Sequence, residues 1–226
     1  MSTQNAQSPA FFPGPMCLKK SRIIGLTGGI ATGKSTVSGY LANTYSCRIY
    51  DADLIAREAV RKGSFILNKL TDRYGVEILT SQGELNRSKL GKILFQDSDE
   101  KKWIESLIHP YVLNELQEKI QTFRQSERNT TEFLCLAIPL LFESKMENLA
   151  SEIWVVACSP ETQLERLRDR NNFSDAEAKT RINSQWPLEK KKQRADVILN
   201  NDGDRNKLYA QIDAAIKTPP DQVTAT

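Results

Sequence analysis

No apolar run in the 226-residue chain approaches the roughly twenty residues needed to cross a bilayer. The first twenty residues hold Phe11, Phe12 and three prolines among polar filler, with no continuous apolar core, so they do not read as a secretory signal. Four cysteines, Cys17, Cys47, Cys135 and Cys158, form neither a C-x-x-C pair nor a metal-ligand spacing. Cys135 and Cys158 sit inside apolar runs and read as small buried hydrophobes, a usage that fits a reducing cytoplasm better than a disulfide scaffold. The net charge of +3 is too small to make nucleic acid or a membrane surface the main partner. There is one histidine, His109, and no internal repeat.

What is present is the ordinary balance of a globular protein, 39% hydrophobic and 26% charged, which suits one α/β domain with an insertion or a mobile lid. Residues 1–20 are expected to be a flexible tail, with Met16 as an alternative start, and the Pro219-Pro220 end (218–226) a second one. The folded domain is expected over 21–217.

Arg22 to Thr27 is a short apolar run bounded by glycine, the pattern of a buried strand, and Lys34 to Tyr45 reads as a helix. Cys47 to Tyr50 suggests a second strand that ends in Asp51-Ala52-Asp53, followed by a helix over Leu54 to Arg61. Residues 64–124 carry several helical stretches and few strand signals, too much helix for one crossover, and are expected to be an insertion. Phe133 to Ile138, Ile153 to Ala157 and Ala195 to Leu199 are further strands. Ser159 with Pro160 starts a helix, Ser174 with Glu177 forms a capping box, and Asp204 to Lys217 is a last helix. Strands alternating with helices give a three-layer α/β fold around a parallel sheet.

Gly28-Gly29-Ile30-Ala31-Thr32-Gly33-Lys34-Ser35 matches the phosphate-binding pattern G-x-x-x-x-G-K-[ST], between a predicted strand and a predicted helix. Glycines let backbone N–H groups fold around phosphate oxygens, and the helix N-terminus adds positive potential. Lys34 reaches the β- and γ-phosphates of ATP and the Ser35 hydroxyl suits Mg²⁺. Nucleotide contacts are expected along Gly29, Ile30, Ala31, Thr32, Gly33, Lys34, Ser35 and Thr36. No N-K-x-D tetrapeptide is present to read guanine. Asp51 and Asp53 stand where a second parallel strand ends, on the edge where open α/β sheets bind ligands. One of them can take a proton from an attacking hydroxyl, and one can simply cap the following helix. Spacing alone leaves both assignments open.

Taken together these residues resemble the dephospho-coenzyme A kinases. The likeness rests on Gly25-Leu26-Thr27-Gly28-Gly29-Ile30 with Gly33-Lys34-Ser35-Thr36, and on Asp51-Ala52-Asp53 with Ile55-Ala56-Arg57. Arg87 in Leu85-Asn86-Arg87, His109-Pro110, Pro139 to Glu143, Ser159 to Gln163 and Asn201-Asp202-Gly203 follow in the family's order, over about residues 22–217. It implies ATP-dependent phosphorylation of the ribose 3′-hydroxyl of dephospho-coenzyme A, the last step of coenzyme A synthesis, with a nucleotide core, a coenzyme-binding insertion and a lid. It implies Asp53 as the base, with Asp51 orienting or near Mg²⁺, and substrate contacts at Thr27, Asp53, Arg57, Arg87, His109 and Glu143. One departure stands in the loop: the family usually has glycine at Ala31, where an alanine is expected to need a negative φ.

Residues 166–194 carry nine Lys or Arg against four acids. Such a segment is a solvated helix face or, beside a phosphate loop, a lid (161–194) that supplies arginine to the transferring phosphoryl group. Arg170 matches the family's lid position, and Lys190 to Lys192 read as plain surface charge. His109 and Arg87 by themselves are ordinary structural and surface residues, and Glu143 is either a cap neighbour or a carboxylate facing the substrate. Asn201 lies where such kinases meet the adenine, or in a simple turn. Two other readings remain: a kinase for another small molecule or nucleoside monophosphate, and a nucleotide-binding regulatory module with little or no turnover. A passive module has no need of the Asp53 acid or the basic lid.

Overall fold

The computed structural model describes residues 22–126 and 133–218; both expected tails, apart from Thr218, and Cys17 lie outside them. Five strands form one parallel sheet in the order β2-β3-β1-β4-β5. They are β1 (Arg22–Gly28), β2 (Arg48–Asp51), β3 (Phe133–Ala137), β4 (Glu152–Ala157) and β5 (Val197–Asn200). The central strand β1 pairs with β3 and β4, Leu26 opposite Ala137 and Trp154. Both of its faces are covered, which is why it reads as a continuous apolar run rather than an alternating one.

The two faces have separate cores. Ile24, Leu26, Cys135, Trp154 and Val156 point to one side, where α1 (Lys34–Tyr45) adds Val37 and Leu41 and α9 (Arg205–Lys217) adds Leu208 and Ile212. Ile23, Leu134, Leu136 and Ile138 point to the other, against Val112, Leu116, Ile120 and Phe123 of α5 (Ser98–Gln125). A third core lies off the sheet. It joins Ala59 and Val60, at and just past the end of α2 (Ala52–Ala59), to α3 (Phe65–Tyr74), α4 (Arg87–Gln96) and Ile104 near the start of α5.

The segment expected as an insertion is therefore two things. Its first part builds its own core, and the second half of α5 is a layer of the main sheet. α5 runs on through Pro110 as one helix. Val76–Ile78 is a single 3₁₀ turn, and Leu79 makes an isolated antiparallel bridge to Leu85. The chain returns through β4 to α6 (Pro160–Asn171), α7 (Asp175–Asn183) and α8 (Leu188–Lys192). Ser159 caps α6 with Pro160 in its first turn, and Ser174 with Glu177 forms the expected capping box on α7. Cys47, Cys135 and Cys158 are buried and free, and burial pushes the Cys47 thiol up to about 12 and Cys158 to about 11, out of reach of thiolate chemistry.

Candidate active site

Beyond the C-terminal ends of β1, β2 and β3 lies a cavity of about 790 Å³. Gly28 to Ala31 and Gly33 to Ser35 form its floor, Asp51, Asp53 and Pro139 one wall, and Arg166, Asp169, Arg170 and Gln185 the other. In a sheet ordered 2-3-1-4-5 the connection leaving β1 runs to β2 on one side and the one leaving β3 runs to β4 on the other, so the crevice at β1 and β3 is the usual ligand position in such folds.

The loop between β1 and α1 is fixed from several sides. Within it, Thr32 Oγ1 donates to the Gly29 carbonyl at 2.9 Å. From the end of β5, Asn201 Nδ2 donates to the Thr32 carbonyl at 2.8 Å. A Cβ at Gly33 would run into that amide, so glycine is required there for the close approach as well as for its φ of 101°. The Ile30 peptide is held at both poles: its N–H donates to Gln185 Oε1 at 2.8 Å and its carbonyl accepts from Gln163 Nε2 at 2.7 Å. The negative φ expected at Ala31 is not found. Its φ is 61°, a left-handed geometry that costs an L-residue about 1–2 kcal/mol and persists because both neighbours are held. α1 begins at Lys34 with no side-chain cap, leaving the positive end of the helix and its first-turn N–H groups facing the cavity floor.

Of the two carboxylates, Asp51 takes the cap on α2, accepting from the Asp53 N–H at 2.8 Å, and its other oxygen lies 3.5 Å from Lys34 Nζ. Among the described residues no hydrogen bond or ion pair engages the Asp53 carboxylate, which stays open to solvent on the cavity wall. Its pKa is raised: the walls strip part of its water, and Asp51 adds like charge, while Lys34 and Arg57 pull the other way. Arg57 is exposed on α2.

α6 turns one face to the loop. Gln163, Arg166 and Arg170 stand at i, i+3 and i+7, and Arg166 donates to the Asn201 carbonyl at 2.8 Å. Arg170, exposed at the far end, donates to its neighbour Asn171 at 2.9 Å. Asn201 is buried with its amide committed to Thr32, so it braces the loop from behind rather than offering that amide to a ligand. Thr27 is fully buried off the cavity, its hydroxyl donating to the Pro139 carbonyl at 3.0 Å. Thr36 follows Ser35 in the first turn of α1, half-buried.

The remaining expected contacts lie elsewhere. Arg87 borders a cleft of about 820 Å³ between α4 and α7, with Lys92 beside it and Thr180 and Arg181 on the α7 side. His109 borders a smaller hollow of about 370 Å³ with Leu94, Ile104 and Ile108; the two hollows share Gly91. Glu143 turns toward the lid, its Oε1 2.9 Å from Lys191 Nζ and accepting the Trp186 N–H at 2.9 Å. The reading of Lys190 to Lys192 as plain surface charge fails at its centre, because Lys191 is fully buried.

Sequence reasoning did not single out Gln163, Arg166, Gln185 or Lys191. A signal existed for the first two, since Gln163 lies one turn before the apolar Leu167 on a helix already placed beside the loop. A middle lysine in a run of three carries no such mark.

The comparisons agree with this geometry. The family model for dephospho-CoA kinase matches residues 22–207. A dephospho-CoA kinase of Trichormus variabilis is 51% identical over 195 residues, covering 86% of this chain and 96% of that protein. Its counterpart in Synechocystis is 49% identical over 193 residues, covering 85% and 94%. Among solved structures, a dephospho-CoA kinase from Campylobacter jejuni superposes with a TM-score of 0.64 at 28% identity, over 86% of this chain and 95% of that one. With its loop, its carboxylates and most of its length so matched, the chain belongs to the dephospho-CoA kinase family.

Proposed function

We propose that the cavity at the end of β1 is where a phosphoryl group passes from ATP to dephospho-coenzyme A, with Asp53 as the base. As a member of its family the chain is a kinase that phosphorylates the ribose 3′-hydroxyl of dephospho-coenzyme A, completing coenzyme A. The observation that carries the site assignment is Asp53 itself, a carboxylate with a raised pKa and no partner, beside Lys34 on the wall of the cavity.

The residues present fit the donor nucleotide. An uncapped helix N-terminus, the glycine-rich loop and Lys34 form a cradle for phosphate oxygens. For Mg²⁺ the donor set is Ser35 hydroxyl and the Asp51 carboxylate, hard oxygens of the kind that share the ion with nucleotide phosphates. Among the described residues no group of three or more His, Cys, Asp or Glu forms a metal cage, consistent with an ion held largely through the nucleotide. When bound, the ion neutralises charge on the phosphates.

The proton and the phosphoryl group then move in balance. Asp53 accepts the proton of the 3′-hydroxyl as that oxygen bonds to the γ-phosphorus, while the bond from γ-phosphorus to the β–γ bridging oxygen breaks and ADP leaves. Lys34 and Arg170 stabilise charge on the transferring group and the leaving oxygen. Arg57 stands behind Asp53 as a positive neighbour. The cleft edged by Arg87 and the hollow edged by His109 receive the pyrophosphate and pantetheine arm, whose binding is converted into positioning of the hydroxyl. Glu143 supports the substrate side through Trp186 and Lys191 rather than by direct contact. Free buried cysteines support a cytoplasmic location, and no described helix is long and apolar enough to cross a membrane.

The test is product analysis. Purified protein with ATP, Mg²⁺ and dephospho-coenzyme A is expected to yield a product heavier by one phosphate, placed on the ribose 3′ position. A product phosphorylated elsewhere contradicts the reading.

A further inference from the structure

The segment after α7 has been grouped with the lid, yet its contacts are those of a fixed part. Gln185 Oε1 accepts from the Ile30 N–H. Trp186 donates its N–H to Glu143, and its ring lies parallel to Phe142 with centroids 5.9 Å apart. Lys191 of α8 is fully buried, and its ammonium has three partners: Glu143 Oε1 at 2.9 Å, the Pro139 carbonyl at 3.2 Å and the Gly28 carbonyl at 3.3 Å. Gly28 and Pro139 both border the phosphate cavity. Lys191 therefore sits behind the cavity and ties the first residue of the phosphate loop to the residues after β3.

We propose that Lys191, paired with Glu143, is a positioning residue for phosphoryl transfer, and that residues 185–194 form a fixed brace of the phosphate loop rather than part of a moving lid. The chemistry favours this over simple packing. A buried ion pair is a poor way to gain stability, because desolvation of both charges offsets most of their attraction. Among the described residues Glu143 Oε2 is also buried with no hydrogen-bond partner, a cost with no packing benefit. What the pair does supply is direction. Three donors on one ammonium hold Glu143, the Gly28 carbonyl and the Pro139 carbonyl, which also accepts from Thr27, in one relative position that an apolar side chain could not impose. The loop needs that control, since it holds Ala31 at φ 61°. On this arrangement the moving part of the lid lies between two anchors, Arg166 on α6 and Gln185 after α7, and Arg170 belongs to that part.

The inference rests on the kinase reading, and the test separates the two because the wild-type protein is assayed alongside. The single variant Lys191→Met strands Glu143 and is expected to lower both Tm and activity, as any disruption would. The deciding protein is the double variant Lys191→Met/Glu143→Met, which removes both charges at similar volume. It is expected to recover a Tm within a few degrees of wild type, while kcat/KM for ATP stays at least about tenfold down and Mg-ADP binding, measured without acceptor, weakens in parallel. Recovery of activity together with Tm would show the pair to be only structural and overturn the proposal. If the double variant does not fold, Gln185→Ala decides. This change removes only the hold on the Ile30 N–H, and it is expected to weaken Mg-ADP binding at least threefold with Tm unchanged. Unchanged nucleotide binding in that variant overturns the brace. A wild-type protein that binds Mg-ADP but does not phosphorylate dephospho-coenzyme A instead tells against the kinase reading alone.

Discussion

Replacing Asp53 with asparagine removes proton acceptance and little else. The two side chains have nearly the same shape, and among the described residues no hydrogen bond or ion pair is broken, because none engages the Asp53 carboxylate. A positioned base contributes about 10²–10⁴ in rate, so kcat should fall by that factor, about 3–5 kcal/mol on the barrier. ATP affinity should change little. Stability gives an independent sign. The pKa of Asp53 is raised in the folded protein, so the fold binds this proton more tightly than the unfolded chain does. Its contribution is favourable below the unfolded pKa and is lost as pH rises through the folded one. At neutral pH the ionised carboxylate therefore opposes folding, and Asp53→Asn should raise Tm slightly, an advantage that vanishes in acid. The same raised pKa should place the acid limb of kcat/KM above the ordinary aspartate range. Single-turnover rates, nucleotide titration and thermal melts at two pH values measure all three. A variant that keeps more than about a tenth of the wild-type rate refutes the assignment. So does an Asp51→Asn variant more damaged in the chemical step, given that asparagine still caps α2.

Three further outcomes follow from the same geometry. Lys34→Ala should cost on the order of 10³ or more in turnover with Tm little changed, because its pairing with Asp51 is long, at 3.5 Å, and still reached by solvent; steady-state rates and melting curves check both. Arg170→Ala should lower kcat more than it weakens ATP binding, since among the described residues its guanidinium bonds only to Asn171; equal losses in both would make it a ground-state contact. Ala31→Gly should stabilise the protein by up to about 1 kcal/mol, the left-handed cost relieved less the added freedom of the unfolded chain, as read by denaturant melts.

Much of this was legible in the residues because local chemistry and position coincide. The parallel sheet follows from apolar runs joined by helices, and α1, the α6 cap and the α7 capping box are where Lys34, Ser159 and Ser174 predict them. The phosphate loop is readable because its function lives in consecutive residues. The roles of Asp51 and Asp53 were not separable by spacing, since a cap and a base look alike two residues apart. Only the bond from the Asp53 N–H to Asp51 assigns the cap. Lys191 was misread because solvent exposure is a property of the folded neighbours, and a lysine run gives no hint that α8 turns its middle residue inward. Ala31 was misread for a related reason. Backbone preference argued for negative φ, but the bonds to Ile30 and Thr32 from Gln163, Gln185 and Asn201 override it. Such contacts link positions more than a hundred residues apart, and no local pattern announces them.

The central claim is that this cavity phosphorylates dephospho-coenzyme A, and a competition of acceptors tests it most directly. Initial rates are measured with purified protein, ATP and Mg²⁺ against equal concentrations of dephospho-coenzyme A, AMP, CMP, UMP, uridine and shikimate. The account predicts that dephospho-coenzyme A is phosphorylated far faster than all the others, and that removing its pantetheine arm lowers turnover as well as affinity. Faster conversion of any nucleoside monophosphate, or nucleotide binding with no acceptor phosphorylated at all, would contradict it.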